Sequence, residues 1–208
     1  MKGKFITFEG SEGCGKSTQS KLLYEYLKQK GYKAVYLRDP GGVKVSEKIR
    51  NLLLDPKNKI SPVAETLLYM AARAEVVNEV IIPALASGKI VVCDRFLDST
   101  ICYQGYGLGV DIKTIKFIGN FATSSIEPNL TIFLDLAVKK GLKHRHLQED
   151  RIEQRPLTYH ERVRKGYFKL ANLHKKRIKI VKLELDIFLT QDKIRKLCHS
   201  IISKAKIK

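Results

Sequence analysis

Residues 10–17 read Gly10-Ser11-Glu12-Gly13-Cys14-Gly15-Lys16-Ser17, followed by Thr18. They match G-x-x-x-x-G-K-[ST] at every fixed position. The motif constrains the fold as well as the chemistry. It works where a buried strand ends and a helix begins. There the glycines let successive N–H groups point at phosphate oxygens, and the helix N-terminus adds its positive dipole end. The flanks supply this context. Phe5-Ile6-Thr7-Phe8 is a short apolar strand, and Leu22, Leu23, Tyr26 and Leu27 fall on one helical face. Lys16 is expected to reach the β- and γ-phosphates of a nucleoside triphosphate, and Ser17 to ligate Mg²⁺. The motif does not say what happens to the triphosphate, because ATPases, GTPases and small-molecule kinases share it.

The rest of the chain alternates in the same way. Ala34 to Leu37 is a second strand, stopped by Arg38-Asp39-Pro40-Gly41-Gly42. Val63 to Leu85 has a helical pattern interrupted by Pro83. Ile90 to Cys93, Leu130 to Leu134 and Ile178 to Val181 are further strands. Continuous apolar strands between helices predict an α/β fold, a parallel sheet covered on both faces. The length of 208 residues fits a single domain over 1–208. The polar stretch from about 139 to 156 reads as a surface excursion over a ligand site, a lid.

Composition narrows the function classes. The net charge is +18 and unevenly spread. Residues 1–138 carry eighteen basic and fourteen acidic side chains, and residues 139–208 carry twenty-one and seven. Such a patch can meet nucleotides, nucleic acid or a membrane surface, or can be a solvated Lys-rich face. Single-strand binders interleave aromatics with basic residues. Phe188 is the only aromatic after Lys169, so nucleic acid is not the expected partner. A basic amphipathic helix at Ile194–Lys208 fits packing on the sheet better than lying on a membrane. No apolar run approaches the ~20 residues of a span, and the N-terminus lacks a signal-peptide pattern. Cys14, Cys93, Cys102 and Cys198 form no C-x-x-C pair. They read as free thiols of a cytoplasmic protein and not as a zinc site.

A second group of candidates lies on the rim where the strands end. Asp94 closes the third strand, where it can hold Mg²⁺, and Arg95 can bind a second phosphate. The bland alternative is a loop ion pair. Tyr69 and Arg73 are four apart on one helix face and can stack on and hydrogen-bond a base; a packed Tyr with a snorkelling Arg has the same pattern. Tyr103-Gln104-Gly105-Tyr106-Gly107 adds an aromatic and an amide near what reads as glycine turns.

Taken in order, several segments together resemble the bacterial type of thymidylate kinase over nearly the whole chain. They are Phe8 to Thr18, Arg38 to Gly42, Leu67 to Ala74, Asp94-Arg95-Phe96, Asp98-Ser99, Tyr103 to Gly107, Asp150-Arg151-Ile152-Glu153 and Arg162 to Tyr167. The resemblance implies a P-loop nucleoside monophosphate kinase-like fold with a five-stranded parallel sheet, a lid and a homodimer. It implies transfer of phosphate from ATP to dTMP. Asp39, Pro40, Tyr69, Arg73, Arg95, Ser99, Tyr103 and Gln104 would bind dTMP. Tyr69 would stack on thymine, Arg73 would bond the base, and Arg95 would hold the dTMP phosphate. Ser99 and Gln104 would help to place the base, and Tyr103 the deoxyribose. The P-loop has no arginine, so the phosphate clamp is expected from the lid, at Lys143, Arg145 or Arg151.

The chain departs from the family pattern in places. Asp39 stands for the usual Glu, Val43 for Thr and Tyr69 for Phe. The lid is short and poor in arginine, with His144 and His146 instead, which would make turnover sensitive to pH near 6–7. Glu12 is an acid among phosphates. It can orient a water, hold an arginine or the sugar, or tune lid closure.

Overall fold

The computed structural model describes residues 3–143 and 150–202. In chain order the elements are β1 (Lys4–Glu9), α1 (Lys16–Gln29), β2 (Ala34–Arg38), α2 (Lys44–Leu54), α3 (Pro62–Val76), α4 (Ile82–Ala86) and β3 (Ile90–Asp94). They continue with α5 (Leu97–Thr100), α6 (Ile112–Ala122), β4 (Leu130–Asp135), α7 (Val138–Leu142), α8 (Leu157–Leu173), β5 (Ile178–Lys182) and α9 (Ile187–Ile202). The strands make one parallel sheet in the order β2-β3-β1-β4-β5. β1 is central. The chain leaves it toward β2 on one side and later crosses to β4 on the other. The crevice at the carboxyl ends of β1 and β3 lies at that reversal, where open α/β sheets bind ligands.

Alternation along the strands assigns the two faces. Ile6, Phe8, Val92, Ile132 and Leu134 meet Leu23 and Leu27 of α1 and Ile194, Cys198 and Ile202 of α9. On the other face Phe133 packs against Val163, Tyr167 and Leu170 of α8 and Ile115 of α6. Phe5, Val91 and Cys93 pack with Val76, Ile81 and Phe96. The same alternation sends Asp94 toward α1 and Glu9 toward α8. Burying an isoleucine such as Ile194 contributes about 1.5–3 kcal/mol, so the basic C-terminal helix is held on the sheet by its apolar stripe. Among the described residues, no helix is long and apolar enough to cross a membrane.

Three local expectations change. The helical run from Val63 is not broken at Pro83. A wider π turn at Val77–Ile81 precedes α4, and the chain passes through the proline. Such a turn accommodates the missing N–H and the carbonyl the ring would strike. Tyr103 to Gly107 is not a glycine turn but part of a second π segment, Ile101–Gly107. Gly107 is there for close approach: a Cβ would lie 2.5 Å from the Tyr159 ring. The lid stretch is not wholly an excursion. Gly141 is buried in α7, and Ile152 is a core residue at 4% exposure. His144, Arg145 and His146 lie outside the described residues.

Several arginines of the basic C-terminal third are taken up by ion pairs. Arg151 and Arg155 pair with Glu65, Arg164 with Asp135, and Arg177 with Asp98. Arg162 donates to the carbonyl of Gly107.

Candidate active site

Residues 10–15 form the loop between β1 and α1, and Lys16, Ser17 and Thr18 open the helix. The first turn of α1 has no acidic residue and no side-chain cap, which leaves its N–H groups and its dipole for an anion. Gly13 has φ +68°, and a Cβ there would sit 2.0 Å from the carbonyl of Gly141. In return, a Cβ on Gly141 would lie 2.3 Å from the carbonyl of Glu12. The P-loop therefore rests backbone to backbone on α7, at the head of the lid stretch. Lys16 is 6% exposed and donates to the carbonyl of Ser11 (2.7 Å) and toward Cys14 Sγ (3.7 Å). Burial pushes the Cys14 thiol up, with Lys16 and Arg95 opposing. Ser11 Oγ is buried and makes no hydrogen bond among the described residues.

Ser17 Oγ donates to Asp94 Oδ2 at 2.5 Å, and Asp94 Oδ1 is buried with no partner among the described residues. Two hard oxygens, one carboxylate oxygen uncommitted, at the foot of the phosphate loop fit Mg²⁺, which keeps waters and phosphate oxygens in its remaining positions. No cluster of three or more His, Cys, Asp or Glu suited to a metal occurs among the described residues.

Arg95 stands at the centre. Its φ is +72°, a left-handed conformation that costs a non-glycine residue of order 1–3 kcal/mol. The turn is held from both sides: Arg95 N–H donates to Phe8 O (2.9 Å) and Phe96 N–H to Glu9 Oε1 (2.8 Å). The guanidinium donates to Glu12 Oε1 (2.7 Å), Tyr103 Oη (3.0 Å), Ser99 Oγ (3.1 Å) and Gly10 O (3.2 Å). Glu12 also accepts from Tyr103 (2.7 Å). Of the roles open to Glu12, the geometry gives it that of holding an arginine. Burial pushes its carboxyl up, but Arg95, Lys16 and the Tyr103 hydroxyl outweigh this and hold it down at about 2.

Two cavities meet here. One is lined by Asp39, Pro40, Tyr69, Arg73, Arg95, Ser99, Tyr103 and Gln104, all eight residues expected to bind the acceptor, together with Arg50, Leu54, Asp150 and Ile152. The other is lined by Glu12, Gly13, Gly15, Lys16, Ser17, Thr18 and Asp94. Glu12, Asp39, Arg50, Arg95 and Asp150 line both. Arg73 is 1% exposed; its Nε donates to Asp39 Oδ2 (2.6 Å) and its Nη2 to Phe96 O (3.2 Å). Arg151 is not brought to the P-loop. Its Nη1 pairs with Glu65 (2.6 Å), its Nε donates to Leu53 O (2.8 Å) and its N–H to Leu54 O (3.0 Å), closing the C-terminus of α2. Lys143 ends α7 and is exposed.

Sequence reasoning missed Arg50, Glu9 and Glu65. Arg50 has no motif around it; it faces both cavities and donates to Pro40 O (3.1 Å). Glu9 is fully buried and accepts from Ser99 Oγ (2.6 Å), Tyr167 Oη (2.8 Å) and Phe96 N–H. Its one visible signal was an acid closing an apolar strand next to the P-loop. Burial and the charge of Asp98 raise its carboxyl to about 7, with Ser99, Arg95 and Tyr167 opposing. The folded chain thus binds this proton more tightly than the unfolded one, so the group's contribution is present at low pH and is lost as pH rises from 4.5 to about 7. Relative to Glu9→Gln, the wild type is expected to lose about 2 kcal/mol of unfolding free energy between pH 5 and pH 8. Chemical denaturation of both proteins across that range checks this; parallel curves would refute it.

The family model described as Thymidylate kinase matches residues 8–194. A thymidylate kinase of Thermoanaerobacter sp. (strain X514) is 50% identical over 178 residues, 85% of this chain and 88% of that one. One from Caldanaerobacter subterraneus subsp. tengcongensis is 40% identical over 208 residues, the full length of both. The crystal structure of thymidylate kinase from Ehrlichia chaffeensis superposes with a TM-score of 0.80 at 32% identity, over 95% of this chain and 100% of that one.

Proposed function

Since the chain belongs to the thymidylate kinase family and carries out the ATP-dependent phosphorylation of dTMP to dTDP, we propose that Arg95 and Glu12 are the partition across which the phosphoryl group passes. The observation that carries this reading is that both residues line the P-loop cavity and the cavity of the eight acceptor candidates. ATP places its β- and γ-phosphates on the loop Gly10 to Gly15, Lys16 and the first turn of α1. Ser17 and Asp94 would hold Mg²⁺, which would neutralise phosphate charge. dTMP lies in the other cavity with its phosphate on Arg95, its sugar beside Tyr103 and its base between Tyr69, Arg73 and Gln104. A phenol packed against C2′ leaves no room or partner for a ribose hydroxyl.

Phosphoryl transfer is chiefly positioning and charge stabilisation. Arg95 is presented rigidly, because four acceptors and a strained turn fix its guanidinium. Glu12 keeps that guanidinium aimed at the shared wall. Residues 139–156 act as the lid that keeps water from the γ-phosphate. Arg151 serves as the lid's anchor, which leaves Lys143 and Arg145 as candidate clamps. ADP release measured with Mg·ATP and dTMP, dUMP, UMP, CMP or AMP in turn, with an acceptor-free control, tests the reading. A large preference for dTMP is expected. Release without acceptor, or release stimulated by single-stranded DNA, would overturn it.

The functional form is a homodimer. Val63 and Leu67 on α3 and Phe117 and Phe121 on α6 are exposed apolar residues, Phe121 at 86%, beside a groove that Ile118 and Leu108 help to line. A face of this kind calls for a partner, and a second copy supplies a self-complementary one. Sedimentation of wild type at the mass of two chains, and of a Phe117→Glu/Phe121→Glu variant at one, is the expected pair of results. Equal masses would exclude this face. Four unpaired, buried thiols support a cytoplasmic location, which cell fractionation would check.

A further inference from the structure

Glu65 is fully buried on α3, and its carboxylate has three partners. Oε1 accepts from Gln104 Nε2 at 2.7 Å, and Oε2 from Arg155 Nη2 at 2.5 Å and Arg151 Nη1 at 2.6 Å. Arg151 is itself fixed to the end of α2 by Leu53 O and Leu54 O, and Arg155 by the Tyr159 hydroxyl (2.7 Å). The carboxylate therefore cannot turn away. A carboxylate only accepts, so an amide facing it must present its NH₂. The orientation of Gln104 follows: its carbonyl oxygen points away from Glu65. Among the described residues Gln104 Oε1 accepts no protein hydrogen bond, and the side chain lines the acceptor cavity. Arg73, a donor only, lines the same cavity.

From this we infer that Glu65 is a specificity-determining positioning residue: it locks the Gln104 amide with its carbonyl toward the base, so that the pocket admits a pyrimidine carrying an N3–H donor beside a C4 carbonyl. The inference rests on the reading that Gln104 and Arg73 meet the base. Thymine offers N3–H to the carbonyl and O4 to the guanidinium. Cytosine inverts both groups. Its bare N3 would face the Gln104 carbonyl and its amino group the Arg73 guanidinium, leaving buried polar groups unpaired. A site built to hydrogen-bond an N–H rejects the analogue lacking it by far more than shape alone allows. The same carboxylate holds both lid-proximal arginines, so base reading and the seating of residues 150–156 share one group.

The test is Glu65→Gln, with kcat/KM measured for dTMP, dUMP and dCMP. An amide at 65 both donates and accepts, so the Gln104 amide is free to reverse. The dTMP-to-dCMP ratio is expected to fall about tenfold or more. The dTMP-to-dUMP ratio should hold, because uracil keeps the N3–H. A purely structural role, such as loosened lid seating, lowers all three substrates together and leaves both ratios in place; that outcome overturns the inference. Glu65→Asp, which keeps an acceptor-only carboxylate one methylene further back, is expected to hold the dTMP-to-dCMP ratio even where overall activity falls; a ratio lost as fully as in Glu65→Gln would mean that packing sets it and would overturn the inference. Gln104→Leu separates the two layers. If it leaves the dTMP-to-dCMP ratio unchanged, Gln104 does not read the base. If it lowers the ratio while the Glu65 variant does not, Gln104 reads the base without Glu65 setting it.

Discussion

Exchange of Arg95 for methionine is expected to lower kcat/KM for dTMP by about 10³-fold or more, the scale on which an arginine that stabilises a transferring phosphoryl group acts. The side chain is aimed by Glu12, Tyr103, Ser99 and the Gly10 carbonyl, at 2.7 to 3.2 Å. Methionine fills much of the same space and removes only the charge and the donors. Stability should fall as well, by about 3 kcal/mol, because Glu12, mostly buried, keeps only Lys16 and the Tyr103 hydroxyl to offset its burial. The acid limb of the stability profile should change in a definite direction. In the wild type Glu12 is held at about 2, so its contribution is present above 4.5 and is lost as pH falls from 4.5 toward 2. Without Arg95 that loss should shrink. Combining the change with Glu12→Gln should restore stability without restoring the rate. Steady-state kinetics and denaturation of the single and double variants check this. A double variant that regained activity would show that Arg95 serves only to neutralise Glu12.

Replacement of Gly141 by alanine is expected to cost about 10²-fold in kcat, although Gly141 belongs to no nucleotide motif. Its added Cβ would lie 2.3 Å from the backbone carbonyl of Glu12, a contact no side-chain rotation can relieve. Either α7 or the phosphate loop has to move. Misplacement of reacting groups by about 1 Å is enough for a loss of this order. The folded state should persist, since α7 is a five-residue helix at the edge of the core. The result that would sink the argument is a fully active alanine variant, because the loop would then not depend on α7 for its position. Affinity for ATP, measured in parallel, separates a displaced P-loop from a displaced lid.

Much of the acceptor cavity was legible because its residues sit where local rules send them. Asp39 follows a strand, Asp94 ends one, Arg95 follows Asp94, and Tyr69 and Arg73 share a helix face. Every strand was found, since a parallel sheet buried on both faces writes itself as apolar runs. The Ile101–Gly107 segment was misread because glycine is ambiguous in sequence: it serves a turn, or it admits a neighbour. At Gly107 the neighbour is the Tyr159 ring, fifty-two positions along the chain, and no local pattern reports it.

Arg151 shows the limit most clearly. An arginine in a lid stretch reads as a phosphate clamp, yet here it is bound to Glu65 and to the end of α2. Glu9, Glu65 and Arg50 went unnoticed for the same reason: each acts on a group brought close only by packing. What the sequence alone determined about this protein was the phosphate loop, the α/β architecture and the placing of Asp94 and Arg95 at the rim of the sheet. These are set by backbone requirements and hydrophobic period, and both are written in consecutive positions. What only the tertiary structure decided was which charges neutralise one another and which way each polar group points. Burial makes every unpaired charge expensive, so arginines and carboxylates are assigned partners by proximity in space, whatever their distance along the chain.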